Sequence, residues 1–393
     1  MASALLAIIY LAFISLGLPD SLLGSAWPVM QAQMQVPVSY AGVISMIIAG
    51  GTILSSLMSD RLTKRFGAGL VTAVSVLMTA AALMGFSLSG SFVSLCLWSI
   101  PYGLGAGAVD AALNNYVAVH YASRHMSWLH CFWGIGASVS PYIMSFALTG
   151  GLGWQSGYRI VSILQIALTI VLMASLPLWG RQKVRGVEET SSGPVLKLSQ
   201  IISMRGVPFV LLTFFGYCAM ETTTGLWAAS YLVMGRGIDA DTAAQYASLF
   251  YLGITAGRFL CGFIADRLGD RLMIRVGLAV ITLGMAALGL PLGVDWPPLA
   301  GLVMIGFGSA PIYPSIIHAT PANFGPENSQ AIIGIQMASA YAGSTFMPPL
   351  FGFIAGKAGI TLYPAFLFVF VVLMIVMNEL LNRTVPMKQI KGS

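Results

Sequence analysis

Charged side chains are scarce in this sequence. Of its 393 residues only 8% are Asp, Glu, Lys or Arg, against roughly a quarter in an ordinary soluble domain, while 57% are hydrophobic and the mean hydropathy is +0.84. With 19 basic and 13 acidic residues the chain cannot cover its surface for water, so it meets lipid over most of that surface. Soluble enzymes, nucleic-acid binders and disordered chains are excluded. Cysteine is also sparse: Cys96, Cys131, Cys218 and Cys261 each lie in an apolar stretch, with no CxxC pair, and read as small buried hydrophobes rather than disulfides or ligands. The four histidines form neither an HExxH motif nor a zinc cluster. No phosphate loop is present, because Gly352 and Gly356-Lys357-Ala358 are too closely spaced, end in Ala where Ser or Thr is needed, and follow no strand pattern. The glycines from Gly103 to Gly107 likewise lack a preceding strand and read as helix-packing positions. The first apolar run, 4–29, has no basic leader and is too long for a signal-peptide core, so it is expected to span the membrane.

What is present is a series of long apolar runs. A helix needs about 20 such residues to cross the hydrocarbon. Runs near 4–30, 39–59, 69–87, 92–119, 127–149, 158–179, 207–234, 242–264, 273–291, 298–319, 331–355 and 362–382 give twelve spans. With the N-terminus in the cytoplasm, the loops on that side and the C-terminal tail hold fifteen basic residues, among them Arg61, Lys64, Arg65, Arg124, Arg181, Lys183, Arg185, Arg267, Arg271 and Arg275. The opposite side holds Arg159, Arg236 and Lys357, and Arg258 alone falls inside a span. This asymmetry predicts both termini in the cytoplasm and an even number of spans. The net charge of +6 is therefore a topology signal rather than a nucleic-acid footprint. The longest polar stretch, 181–206, divides the spans six and six. The expected organisation is an N-terminal bundle over 1–180, a cytoplasmic linker over 181–206, and a C-terminal bundle over 207–393.

Two loops match across the halves. Ser56 to Arg65 reads SLMSDRLTKR after the second span, and Gly262 to Arg271 reads GFIADRLGDR after the eighth, with Asp266 206 positions beyond Asp60. Parallel half-repeats of this kind are a transporter architecture. The sequence resembles the major facilitator superfamily, whose signature is a G-x-x-x-D-R-x-G-R-R-like loop at these two places, and the resemblance covers the whole chain. The second copy follows the pattern closely; the first has Ser56 and Thr63 where glycines are usual. The implied fold is all-α and integral to the membrane, twelve helices in two six-helix bundles. An Asp at such a helix end can accept from the N-terminus of a neighbouring helix while the Arg residues reach nearby acids. Asp60, Arg61, Asp266, Arg267 and Arg271 are therefore gating candidates, set against the plainer reading of a basic topological anchor. Shorter stretches are similar to the fucose permease branch of this family: GLPDSLLGSAWP at Gly17 to Pro28, DAALNNY at Asp110 to Tyr116, LHCFWGIG at Leu129 to Gly136 and GIQMASAYAG at Gly334 to Gly343.

Three acids, Asp20, Asp110 and Glu221, fall near the middle of spans. An ionised Asp at a helix centre costs roughly 2.5–3.5 kcal/mol on insertion scales. With only Arg258 available inside a span, each acid must find another partner or carry a proton. All three are thus candidates for proton coupling. The resemblance to the fucose permease branch implies Asp20 at the substrate site and Asp110 as the coupling acid. Pro19 removes a backbone donor and predicts a break beside Asp20. Glu221, followed by three threonines and Trp227, combines an acid, hydroxyls and an indole within two turns, a composition suited to a polyol. Trp227 is otherwise an interfacial anchor. His130 and Gln336 occupy equivalent places 206 positions apart, and Asn114 and Asn115 lie one turn beyond Asp110. All four could reach a solute, although a lone His on an apolar helix is more often structural.

These features predict a secondary active transporter, not an enzyme, working by alternating access and importing a neutral sugar or polyol with a proton. It should need no cofactor beyond an ion gradient. Sodium is the alternative to the proton, since the same acids with Asn and carbonyl oxygens could ligate a hard cation. Expected partners are a sugar-like solute and membrane lipid, with no nucleic acid and a monomeric chain in the cell inner membrane. One rival reading is efflux of hydrophobic compounds, which the absence of a Gly-Pro-x-x-Gly-Gly run in the fifth span disfavours. Another is an intramembrane hydrolase using Asp20 and Asp110, which lacks a Gly-x-Gly-Asp motif.

Overall fold

The computed structural model describes residues 2–37, 39–179, 197–290, 294 and 296–385, and among these the regular structure is entirely helical. The polar stretch that includes Arg181, Lys183, Arg185, Glu188 and Glu189 lies outside the described residues, as do Lys388 and Lys391. The chain divides into two compact units, one of Met1–His120 and Leu129–Val195, the other of Tyr121–Trp128 and Leu196–Ser393.

The first unit holds α1 (Ala2–Asp20), α2 (Leu22–Met34), α3 (Tyr40–Leu88), α4 (Phe92–His120), the body of α5 (Ser123–Thr149) and α6 (Gly153–Trp179). In the second, α7 (Leu198–Ile202) precedes α8 (Val207–Ser230), which runs on through a π-helical turn at Tyr231–Gly235. Then follow α9 (Ala240–Leu268), α10 (Asp270–Gly289), α11 (Trp296–Ser309), α12 (Ile312–His318), α13 (Thr320–Phe324), α14 (Pro326–Ala358) and α15 (Tyr363–Thr384). Among the described residues ten stretches are long and apolar enough to cross a membrane, and one of them, α3, contains two passes. The twelfth pass is α14, whose 33 residues suffice in length but include Gln330, Gln336 and several serines. The twelve-helix architecture is thus present, with α1 and α2 sharing one pass.

Helices run further than the apolar runs alone predict. The gap expected between 59 and 69 shrinks to one residue, Gly67, at φ 78 and ψ 153. The two limbs of α3 flank α4 in opposite senses. Ile48 and Thr52 approach Gly103 and Gly107 in parallel order, whereas Ser75 and Gly85 meet Gly105 and Trp98 in reverse order. A single glycine therefore turns the chain back on itself. The junction between α9 and α10 uses the same conformation, Gly269 at φ 75 and ψ 155. Gly269 stands three positions after Asp266, where the first half has Thr63 after Asp60. A β-branched residue resists positive φ, so the first-half helix continues one more turn until Gly67 supplies it.

The repeat is visible in packing as well. A Cβ at Gly103 would stand 2.3 Å from the Ile48 carbonyl oxygen, and a Cβ at Gly306 would stand 2.4 Å from that of Phe250. Both pairs recur at nearly the same sequence offset and hold the same two helices of each half backbone to backbone. Ser56, found where the family pattern has glycine, does not push its neighbour away. It is fully buried and donates to the Gly107 carbonyl at 3.2 Å, because the glycine sits on the partner helix instead. Larger side chains, including Leu22, Trp27, Met30, Phe86, Trp154 and Tyr158, fill the core of the first unit.

Replacing Gly306 by Val is expected to lower the detergent unfolding temperature, at a cost of about 1–3 kcal/mol for overpacking. Gly356→Ala, where a Cβ meets nothing within 4 Å, should leave it unchanged or raise it slightly. Equal melting curves for the two variants would contradict the close contact.

Candidate functional site

Asp20 closes α1 at the break that Pro19 creates. Pro19 has no N–H to give the Ser15 carbonyl, and that oxygen is taken instead by Gln165 Nε2 at 2.8 Å. Gln165 is buried and its Oε1 accepts from Thr79 at 3.1 Å, so one side chain from α6 makes good the donor that Pro19 lacks. Ser21, in a turn between the helices, lets α2 start afresh. Asp20 is left exposed, with Trp133 Nε1 donating to Oδ2 at 2.9 Å and the Tyr102 hydroxyl donating to Oδ1 at 3.3 Å. The tyrosine comes from α4 and the tryptophan from α5. Neither was among the expected site residues, although Trp133 lies inside the LHCFWGIG stretch.

Asp110 is buried in α4. Asn114, one turn on, donates from Nδ2 to Asp110 Oδ1 at 2.7 Å and to its carbonyl oxygen at 3.0 Å. The amide oxygen of Asn114 pairs with His130 Nε2 at 3.1 Å, and the His130 ring meets Phe13 edge-on at 5.4 Å. Carboxylate, amide and imidazole thus form a continuous buried line across α4 and α5. Asn115 is partly exposed and takes no place in that line.

In the second unit Glu221 on α8 faces Arg258 on α9, with Arg258 Nη2 3.7 Å from Glu221 Oε1. The same Nη2 donates to the Tyr217 hydroxyl at 3.4 Å, and that hydroxyl donates to the Ser309 carbonyl at 3.1 Å. The guanidinium carbon stands 5.9 Å from the Tyr313 ring centroid. Arg258, the one base that the sequence places inside a span, therefore faces Glu221.

The remaining expected residues are engaged in other ways. Trp227 donates its indole N–H to the Pro348 carbonyl at 3.0 Å and packs on Phe351. Gln336 is fully buried and exchanges hydrogen bonds with Thr320 at 3.0 and 3.1 Å. Asp60 pairs with Lys64 at 3.0 Å within α3, and Arg61 is exposed. Asp266 accepts from the Arg124 backbone N–H at 3.0 Å and faces its guanidinium at 3.4 Å. Asp270 binds the Ser123 hydroxyl at 2.6 Å and His318 at 2.7 Å, while His318 also reaches the Tyr121 carbonyl. The start of α5 is thereby docked onto the second Asp-Arg loop. Gly262 is needed there, since a Cβ would lie 2.0 Å from Trp128 Nε1. Arg267 is exposed, and Arg271 reaches the Val385 carbonyl and Asn323. No cluster of metal-ligating side chains occurs among the described residues.

The fold has known counterparts. The crystal structure of FucP, a major facilitator superfamily transporter in the outward conformation, superposes with a TM-score of 0.77 at 15% identity, covering 96% of this chain and 98% of that one. The proton:xylose symporter XylE bound to 6-bromo-6-deoxy-D-glucose gives 0.78 at 14%, covering 97% and 95%. At these identities the likeness is one of fold. Among sequence relatives, the cis,cis-muconate transport protein of Acinetobacter baylyi is 24% identical over 85% of this chain and 83% of its own. Bypass of stop codon protein 6 of Saccharomyces cerevisiae is 22% identical over 65% of this chain, and the match spans just over half, 56%, of the yeast protein. A profile of the Major Facilitator Superfamily matches residues 9–316 and again 237–389. The chain belongs to the major facilitator superfamily, and is accordingly a multi-pass membrane transport protein rather than an enzyme.

Gln165→Leu should leave the Ser15 carbonyl without the donor that Gln165 supplies, while Thr79 keeps its bond to the Val76 carbonyl, and cost about 1–3 kcal/mol, measured as a lower unfolding temperature. An unchanged transition would mean that the Pro19 break is satisfied by other means.

Proposed function

We propose that this protein is a proton-coupled importer of a small hydroxylated solute, a neutral sugar or polyol, acting by alternating access in the cell inner membrane with both termini cytoplasmic. The observation that carries the reading is the buried line Asp110, Asn114 and His130, in which a mid-span carboxylate accepts from the Asn114 amide. Such a carboxylate is costly when ionised and becomes neutral on taking a proton, which lets the loaded protein reorient. Asp110 is the coupling acid in this account, and Asn114 with His130 fixes its carboxyl group. Asp20, displayed between Tyr102 and Trp133, offers a solute hydroxyl a carboxylate acceptor beside two aromatic rings. Asn115, Trp227 and Gln336 are further candidate contributors, the last two being bonded to Pro348 and Thr320 in the arrangement described.

The sugar reading is supported by fold neighbours described as a fucose:proton symporter and a proton:xylose symporter. The proton is favoured over sodium for the same reason. The Asp-Arg loops act as cytoplasmic latches: Asp266 and Asp270 hold the start of α5, Asp60 is held by Lys64, and Arg61, Arg267 and Arg271 stand at the same helix ends. The chain works as a monomer. Sequence relatives are described as transporters of cis,cis-muconate, hexuronate and 4-hydroxybenzoate, which favours a second reading in which the solute also carries a carboxylate.

Labelled hexoses should accumulate in proteoliposomes under an inward proton gradient and not without one. Asp110→Asn is expected to reduce that accumulation at least about tenfold while leaving gradient-independent counterflow, because a permanently neutral side chain reorients without carrying a proton. Accumulation by Asp110→Asn equal to the parent would overturn the coupling role.

A further inference from the structure

Arg258 is a buried base in the second unit whose guanidinium is incompletely satisfied. It is 4% exposed in the middle of α9, and its Nε is buried without a hydrogen-bond partner. Its Nη2 has two loose partners, the Tyr217 hydroxyl at 3.4 Å and Glu221 Oε1 at 3.7 Å, the latter beyond hydrogen-bonding distance. The same chain shows what a satisfied arginine looks like. Arg275 grips Glu379 side-on, Nε to Oε1 and Nη2 to Oε2, both at 2.7 Å. The edge formed by Nε and Nη2 is the one that a carboxylate fits with two parallel bonds. At Arg258 that edge is intact, desolvated and not gripped. Glu221 stands in front of it and is the more exposed of the two, with 20% of its side chain accessible against 5% for Arg258. Tyr313 presents a ring to the guanidinium on another side.

We infer that Arg258 is a carboxylate-binding residue for the transported solute, and that Glu221 is the placeholder that the solute carboxylate displaces. A buried cation cannot be left alone, so a resident anion must neutralise it whenever the solute is absent. Glu221 does this at a distance that costs little to break. An incoming carboxylate takes the Nε and Nη2 edge side-on, and Glu221 swings toward the open face. The solute class is then a small carboxylate. The inference rests on the transport reading and takes its second form, a solute that carries a carboxylate, in place of the neutral sugar.

The test uses the full chain purified in detergent and three carboxylates with their neutral counterparts: benzoate with benzamide, succinate with succinamide, and D-glucuronate with D-glucose. At least one carboxylate is expected to bind about tenfold or more tightly than its neutral partner. Arg258→Lys, which keeps the charge but loses the fork, should abolish that preference, whereas Glu221→Gln, which removes the competitor, should tighten carboxylate binding about threefold or more. The opposed signs exclude a purely structural pair, for which both variants would weaken binding together. If no carboxylate outbinds its neutral partner in the parent protein, the inference is overturned, and this comparison needs no variant to fold. Proton-driven hexose uptake by the same preparation then tells whether the transport reading still stands. Carboxylate preference without proton-driven accumulation of any solute would sustain Arg258 and overturn the coupling.

Discussion

The constraint on which the rest of the structure depends is the lack of water in the hydrocarbon. Every polar group placed there must be answered by another part of the protein, at a cost of several kcal/mol if it is not. Pro19 breaks α1, and a glutamine reaches across from α6 to occupy the carbonyl that the proline leaves without a donor. Asp110 is answered by Asn114, and Glu221 by Arg258. These are three different solutions to one problem. A side-chain amide repairs a fixed break permanently. In the proposed mechanism the amide beside Asp110 lets its carboxyl group exchange a proton. In the same proposal the loosely held Arg258 and Glu221 can change partners.

Because the lipid gives no hydrophobic drive between helices, their contacts rely on close backbone approach. Gly103 against Ile48 and Gly306 against Phe250 place this approach at the same point of each half, and Gly67 and Gly269 turn the chain with nearly the same dihedrals. The two halves are nonetheless specialised. The first carries acids with amide and aromatic partners. The second carries the intramembrane base and the more elaborate Asp-Arg loop, where Asp266 and Asp270 hold the start of α5 through Arg124, Ser123 and His318.

Much of this was legible in the sequence. The twelve spans follow from the apolar runs because length and hydropathy suffice for a helix in lipid, and the Asp-Arg loops are short and contiguous enough to read directly. The span ends were less legible, since a single glycine at 67 can turn a helix and Thr63 gives no hint that the turn is deferred. Partners were least legible. Tyr102 and Trp133 reach Asp20 from two other helices, and Gln165 reaches Ser15 across 150 positions. Such meetings depend on the rotation of each helix about its axis, which a stretch of uniform hydrophobicity does not encode. For the same reason Gln336, equivalent to His130 by position, turns out to be bonded to Thr320, and the indole of Trp227 to Pro348.

The central claim is that the buried carboxyl group of Asp110 exchanges a proton during transport. Infrared difference spectroscopy of the reconstituted protein, recorded as pH is stepped, reads that proton directly. The account predicts a protonated-carboxyl band that appears as pH falls, responds to solute, and is missing in Asp110→Asn. A band that persists unchanged in that variant, or spectra in which no carboxyl group titrates, would contradict it.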